Sequence, residues 1–173
     1  WNSYQQTKKL PLIAAFKANR KLMVIGSSWP QDEEVLIPFI NESNDDMAFI
    51  IAPHEININA ISYLQKKLQY KSIKYSEIID NQFFIKKEAM PKVLIIDNIG
   101  MLSSIYYYAD YTYIGGGFGK GIHNILEAAV FGSPLFFGPK YDKFQEANDL
   151  INLEGAYAIN NTESLQKAFN KLY

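Results

Sequence analysis

Tyr111-Thr112-Tyr113-Ile114-Gly115-Gly116-Gly117-Phe118-Gly119-Lys120-Gly121-Ile122-His123-Asn124-Ile125-Leu126-Glu127 decides how the chain is read. Four strand-forming residues run into a glycine-rich turn, and a helical stretch over 122–132 follows, which is one βα unit. The same alternation recurs on both sides of it. Apolar runs at 22–25, 48–51, 93–96 and 135–137, with weaker ones at 72–75 and 156–159, predict strands. Their continuous apolarity suits strands buried on both faces. Helical stretches are predicted near 10–20, 31–42, 57–69, 100–109, 142–153 and 162–172. The expected fold is therefore α/β, a Rossmann-like parallel sheet with helices on both faces. Pro30 beside Asp32, Glu33 and Glu34 marks a helix start, and Pro38 is expected to bend or interrupt that helix. Residues 76–91 fit neither period and are read as loop with room for a short strand.

With 173 residues the chain suits one domain, and 48% hydrophobic with 20% charged residues is a globular composition. Seventeen Lys plus Arg against 18 Asp plus Glu leave a net charge of −1, so nothing in the overall charge attracts nucleic acid. The absence of Cys excludes disulfides, thiolate metal sites and cysteine nucleophiles. With only His54 and His123, a histidine-built metal site is not expected. No apolar run reaches the ~20 residues that cross a bilayer, so a soluble domain is expected. A start at Trp1 without Met, and an end at Asn170-Lys171-Leu172-Tyr173 within a helical stretch, read as one domain of several in a longer protein.

Eight of the ten glycines lie within 100–138, which marks where backbone must approach something closely. Gly116, Gly117 and the loop around them expose peptide N–H groups, and a helix start adds more, so a phosphate can be held without net protein charge. The loop is not a P-loop, because Gly121 follows Lys120, and it lacks the G-x-G-x-x-G spacing. Asn124 and Glu127, three apart, are expected on the first helical turn, with Glu127 able to accept from both hydroxyls of a ribose. The bland alternatives are a ligand-free glycine turn, an acid favoured only by the helix dipole, and a capping role for His123.

Three other strand ends converge on the same edge of an open parallel sheet: Gly26-Ser27-Ser28-Trp29, Pro53-His54-Glu55 and Asp97-Asn98-Ile99-Gly100-Met101. Ser27, Ser28 and His54 can donate to a phosphate or an acidic sugar, and the Gly100 loop can pack on a base. Tyr106, Tyr107, Tyr108, Tyr111 and Tyr113 read as core rather than as a stacking platform. Lys140 fits either the crevice or water, and Lys143 reads as solvated.

These motifs together resemble the 3-deoxy-D-manno-octulosonate (Kdo) transferases of lipopolysaccharide synthesis, in their C-terminal, donor-binding half. The resemblance runs from about Met23 to Ile151. It is carried by Gly26-Ser27-Ser28 with Asp32-Glu33, Pro53-His54, Asp97 to Met101, His123-Asn124-Ile125-Leu126-Glu127-Ala128-Ala129, Gly132-Ser133-Pro134 and Phe137-Gly138-Pro139. It implies the C-terminal half of a GT-B fold and a single CMP-Kdo-binding domain over 1–173, with Pro53, His54, Ile99, Gly100, Met101, Asn124, Ile125, Leu126 and Glu127 around CMP. The implied partners are the CMP-Kdo donor, a lipid A precursor acceptor and the protein's own N-terminal domain, at the cytoplasmic face of the bacterial inner membrane. No cofactor or metal is implied, and the general base is expected in the N-terminal half, so this chain alone is expected to bind donor without transferring it. His54 stands where much of the family has Arg, and Trp29 where many members have His. The competing readings are another GT-B enzyme using a UDP-sugar, transferase or epimerase, and a non-catalytic nucleotide-binding regulatory domain.

Overall fold

Seven strands, all parallel, form one sheet in the order β3-β4-β2-β1-β5-β6-β7. The computed structural model describes residues 8–81 and 90–173. The chain order is α1 (Pro11–Lys17), β1 (Lys21–Ser28), α2 (Pro30–Asn41), β2 (Met47–Pro53), α3 (Ile58–Lys67), β3 (Ser72–Lys74), α4 (Tyr75–Asn81), β4 (Val93–Ile95) and α5 (Leu102–Ile105). After α5 come a 3₁₀ turn (Tyr106–Tyr108), β5 (Tyr111–Ile114), α6 (Leu126–Ala129), β6 (Leu135–Phe137), α7 (Gln145–Asn152), β7 (Ala156–Ala158) and α8 (Thr162–Asn170). Strands β2 to β4 build outward on one side of β1, and β5 to β7 build on the other. The order reverses between β1 and β5, where an open α/β sheet leaves a crevice outside its strand carboxyl ends.

Helices cover both faces, as the apolar runs predict. On one face Ile13 and Phe16 of α1, Ile105 of α5, Ala128 of α6 and Ala147 of α7 pack with Leu22 and Val24 of β1. On the other, Leu36, Phe39 and Ile40 of α2, Ile61 and Leu64 of α3, and Leu165 and Phe169 of α8 pack with Met23 and Ile25. Successive β1 side chains thus enter opposite cores, which is why the run is apolar at every position. Each such fully buried aliphatic side chain contributes about 1.5–3 kcal/mol. Both weaker strands form at the sheet margins as β3 and β7. Tyr106, Tyr111 and Tyr113 are buried, as expected, whereas Tyr107 is exposed.

Three expectations are corrected. Pro38 does not interrupt α2: the helix runs through it to Asn41, with Pro38 exposed and Leu36, Phe39 and Ile40 holding the other side to the sheet. Residues 76–81, read as loop, belong to helix α4, where the Asp97 carboxylate accepts from Ser76 N–H at 3.0 Å and Glu77 accepts from Lys74 N–H at 2.9 Å. The remainder of that segment, 82–89, lies outside the described residues. Finally, the helix predicted over 122–132 is the single turn α6. Gly121, at φ +129°, takes a conformation that only glycine adopts readily, and its N–H and that of His123 bond back to Gly116 O and Gly115 O. Asn124 therefore precedes the helix instead of riding its first turn.

A buried carboxylate joins the two halves of the sheet at their junction. Asp32, fully buried in α2, accepts from Trp29 N–H at 2.9 Å, from the Tyr113 hydroxyl of β5 at 2.7 Å and from Gly116 N–H at 3.0 Å. Burial, and then the Asp32 charge, push the Tyr113 phenol above its ordinary range, so it stays protonated and donates. Replacing Asp32 with Ala orphans two buried donors, Tyr113 Oη and Gly116 N. Urea unfolding of that variant is expected to show a loss of roughly 2–5 kcal/mol, with Asp32→Asn losing less because it keeps an acceptor.

Candidate functional site

The carboxyl ends of β1 and β5 meet backbone on backbone. Strand β1 ends in a register shift between Gly26 and Ser28, with Ser27 at φ +54°, an uncommon conformation for a residue with a side chain. Gly115 packs directly on this bend: a Cβ there would lie 2.0 Å from Ser27 O, so only glycine lets the loop close. The loop then folds on itself through Gly119 N–H and Gly121 N–H, which both donate to Gly116 O at 3.0 Å. Lys140 N–H donates to Gly117 O at 2.8 Å, drawing in the end of β6.

The first amide of α6 with an acceptor among the described residues is that of Ala128, which donates to Ile125 O at 3.2 Å. The N–H groups of residues 124–127 have none there, which leaves a run of four donors without an acceptor beside the glycine loop. The amides without an acceptor thus lie slightly beyond the glycine loop where the sequence places the phosphate. Gly116 N–H is already committed to Asp32, and Gly117 contributes a turn whose carbonyl is bonded to Lys140. Ile125 is buried in the core, so only its backbone is available to a ligand, whereas Leu126 is half exposed and Asn124 exposed. Glu127 is partly exposed, and its charge adds to burial in raising the pKa of Tyr106, whose ring packs against Gly26 at the end of β1.

Both histidines arrive at this crevice. Trp29, His54 and His123 form a ring cluster, with Trp29 over His54 at 4.1 Å and 22° and His54 over His123 at 4.5 Å and 23°. Trp29 Nε1 donates to His123 Nε2 at 2.9 Å. An indole N–H only donates, so His123 Nε2 carries no proton and the neutral ring holds its proton on Nδ1. Burial, then the neighbouring His54, lowers the His123 pKa and favours this neutral state. His54 N–H donates to Ser28 O at 2.9 Å, tying β2 to the bend in β1. The Ser28 hydroxyl is buried and donates to Glu33 Oε1 at 3.1 Å, which leaves Ser27 as the more open of the two serines. Burial raises the Glu33 pKa, opposed by the Ser28 bond and reinforced by Asp32.

Pro53 ends β2, and Ile99, Gly100 and Met101 follow β4, all on the carboxyl edge; Ile99 is 91% exposed and Gly100, at φ +93°, has open space around it. An open cavity of about 230 Å³ is bounded by Trp29, Gln31, Gly119, Lys120, Gly121 and His123. Sequence reasoning missed the Asp32 clasp and the Trp29 ring contacts. The clasp left one signal, a tyrosine inside an apolar strand, since a buried phenol needs a partner. Among the described residues, no group of His, Asp and Glu is arranged to hold a metal ion.

No family model matches the chain. It is 27% identical over 169 residues to a 3-deoxy-D-manno-octulosonic acid transferase of Rickettsia typhi, covering 95% of this chain and 36% of the relative. A protein of the same name from Chlamydophila psittaci is 33% identical over 121 residues, 69% of this chain and 27% of the relative. The chain thus spans about a third of the length of the curated relatives it matches. Among solved structures, the C-terminal CMP-Kdo binding domain of WaaA from Acinetobacter baumannii superimposes with a TM-score of 0.75 at 21% identity, covering 99% of this chain and 89% of that one. The fold is therefore shared with that domain, and the sequence is related along nearly all of its length to the 3-deoxy-D-manno-octulosonic acid transferase family.

Proposed function

We propose that this chain is the donor-binding domain of an inverting glycosyltransferase that moves Kdo from CMP-Kdo to a lipid A precursor. The observation that carries the reading is the run of unpaired amides at 124–127 beside a glycine loop locked onto the β1–β5 switch point. In this reading the phosphate of CMP lies on those amides and on the Asn124 side chain, and the ribose hydroxyls donate to Glu127. The base packs towards Ile99, Gly100 and Met101, with Pro53 and His54 on the β2 side. Transfer is an attack by an acceptor hydroxyl on the anomeric carbon; the bond from that carbon to the phosphate oxygen breaks, and its electron pair leaves with CMP. Donors fixed at the phosphate stabilise that departing charge without reorganising. The base for the acceptor hydroxyl and the acceptor site belong to the N-terminal domain, and the whole enzyme acts at the cytoplasmic face of the inner membrane. A UDP-sugar transferase or epimerase and a regulatory domain are the rivals, and the base preference separates the first from Kdo transfer.

Calorimetric titration is expected to show CMP binding more tightly than UMP or UDP. Glu127→Ala is expected to lose roughly 1.5–3 kcal/mol of CMP affinity, the scale of hydrogen bonds to a charged group. Unchanged binding in that variant removes Glu127 from the ribose.

The neutral His123 has a pH consequence. An unfolded imidazole takes its proton near pH 6.5, about its ordinary value, and the folded one only at lower pH. The unfolded chain therefore binds more protons as pH falls from about 6.5 through the folded value, and stability declines across that window. Urea unfolding from about pH 7 to 5 is expected to show a steeper decline in the wild type than in His123→Gln. Parallel curves contradict the neutral assignment.

A further inference from the structure

Charge is spread unevenly along the chain. Residues 57–76 hold Lys66, Lys67, Lys71 and Lys74 and no Asp or Glu, while the rest of the sequence has 13 Lys plus Arg against 18 Asp plus Glu. Lys74 is half-buried and pairs with Glu77 at 3.6 Å, whereas Lys66, Lys67 and Lys71 are exposed. Asp45 and Asp46, just before β2, act on Lys92, which is buried with its ammonium 4.5 Å from the Tyr70 ring. At the end of α3 the Asn41 side chain donates to Lys67 O at 3.2 Å, so three exposed lysines stand against Glu42, which adjoins Asn41.

The same stretch carries apolar groups away from the core. Ile61, Leu64 and Leu68 hold one side of α3 to the sheet. Asn59, Ala60, Tyr63, Lys66 and Lys67 are exposed, and their spacing of three and four residues makes them one outward face. Tyr63 is 57% exposed, with the Lys67 ammonium 5.5 Å from its ring. Ahead of it Ile58 is 84% exposed and Ile56 42%. Both border the same open cavity as Asp97, which follows β4, so this end of α3 lies at the carboxyl edge of the sheet. A nucleic acid would engage the lysines but offers nothing apolar to Ile58. An anionic bilayer offers both partners: headgroups for the ammonium ends, and the acyl boundary for isoleucine, the tyrosine ring and the lysine stems.

We propose that the outward face of α3 rests on an anionic phospholipid surface, with Lys66, Lys67 and the adjoining Lys71 among the headgroups and Ile56, Ile58 and Tyr63 at the acyl boundary. Helix α3 returns between parallel strands and so runs against them. Lying flat, it sets the strands along the bilayer and opens the carboxyl edge sideways, parallel to the membrane. This gives the membrane location in the proposed function a surface on this chain, and neither CMP nor the glycine loop enters it.

Sedimentation of the 173-residue chain with vesicles tests this, comparing phosphatidylcholine alone with phosphatidylcholine containing about 30% phosphatidylglycerol. Wild type is expected to bind the anionic vesicles and not the neutral ones, and to let go as salt is raised. Lys66→Gln with Lys67→Gln is expected to lose about thirtyfold, roughly fivefold for each lysine near the surface. Tyr63→Ser is expected to weaken binding without altering its salt dependence. Lys143→Gln with Lys171→Gln removes the same charge at exposed positions elsewhere and is expected to stay within about twofold of wild type. Equal losses in the two double variants reduce the effect to net charge and overturn the proposal. Equal binding to neutral vesicles, binding to neither kind, or tighter binding to short single-stranded DNA that depends on Lys66 and Lys67 also overturns it. CMP affinity of the Lys66 and Lys67 double variant is expected to match wild type, so vesicle binding and nucleotide binding fail separately.

Discussion

Everything at the crevice hangs on one buried carboxylate. Asp32 sits where α2 begins and reaches β5 through Tyr113, the glycine loop through Gly116 and its own helix start through Trp29. A charge taken fully out of water is tolerated only when its oxygens are satisfied, and here three donors from three elements satisfy them. The same bonds fix the relative position of the two half-sheets, because β1 and β5 are the strands on either side of the switch point. What is spent on Asp32 cannot be spent on a ligand, so Gly116 N–H becomes part of the scaffold and the free donors lie further along, at 124–127.

The ring cluster extends this logic to β2. Trp29 and His54 stack on each other at 4.1 Å, which joins the start of α2 to the end of β2. With an indole in this place, His123 has a donor on Nε2 and stays neutral, so the cleft wall is aromatic and uncharged up to Lys120 at its rim.

Much of this was legible in the sequence for a physical reason. Runs such as Leu22 to Ile25 read as strands buried between two helix layers, and the glycines at 115–117 as a place of close backbone approach. Local signals failed where tertiary bonds overruled them. Gly121 and His123 bond back to the loop, which delays α6 to Leu126, and Asp97, far away in sequence, organises the start of α4. Pro38 is tolerated in α2 because that side of the helix faces solvent. Asp32 beside Glu33 and Glu34 looks like a row of helix-start acids, and nothing local separates the one that turns inward. The convergence of Ser27, His54, His123 and Asn124 on one edge followed from topology alone, whereas their contacts did not.

In the proposed function a nucleotide phosphate is held at the β1–β5 switch point by the backbone amides of 124–127, which have no acceptor among the described residues. Titration of the ¹⁵N-labelled chain with CMP, followed by amide NMR shifts, tests it residue by residue. The largest shifts are expected at residues 117–127, with smaller ones at 26–29 and 99–101. Saturable shifts confined to the β3–α4 edge or to β7 and α8, or no shifts at all, contradict it.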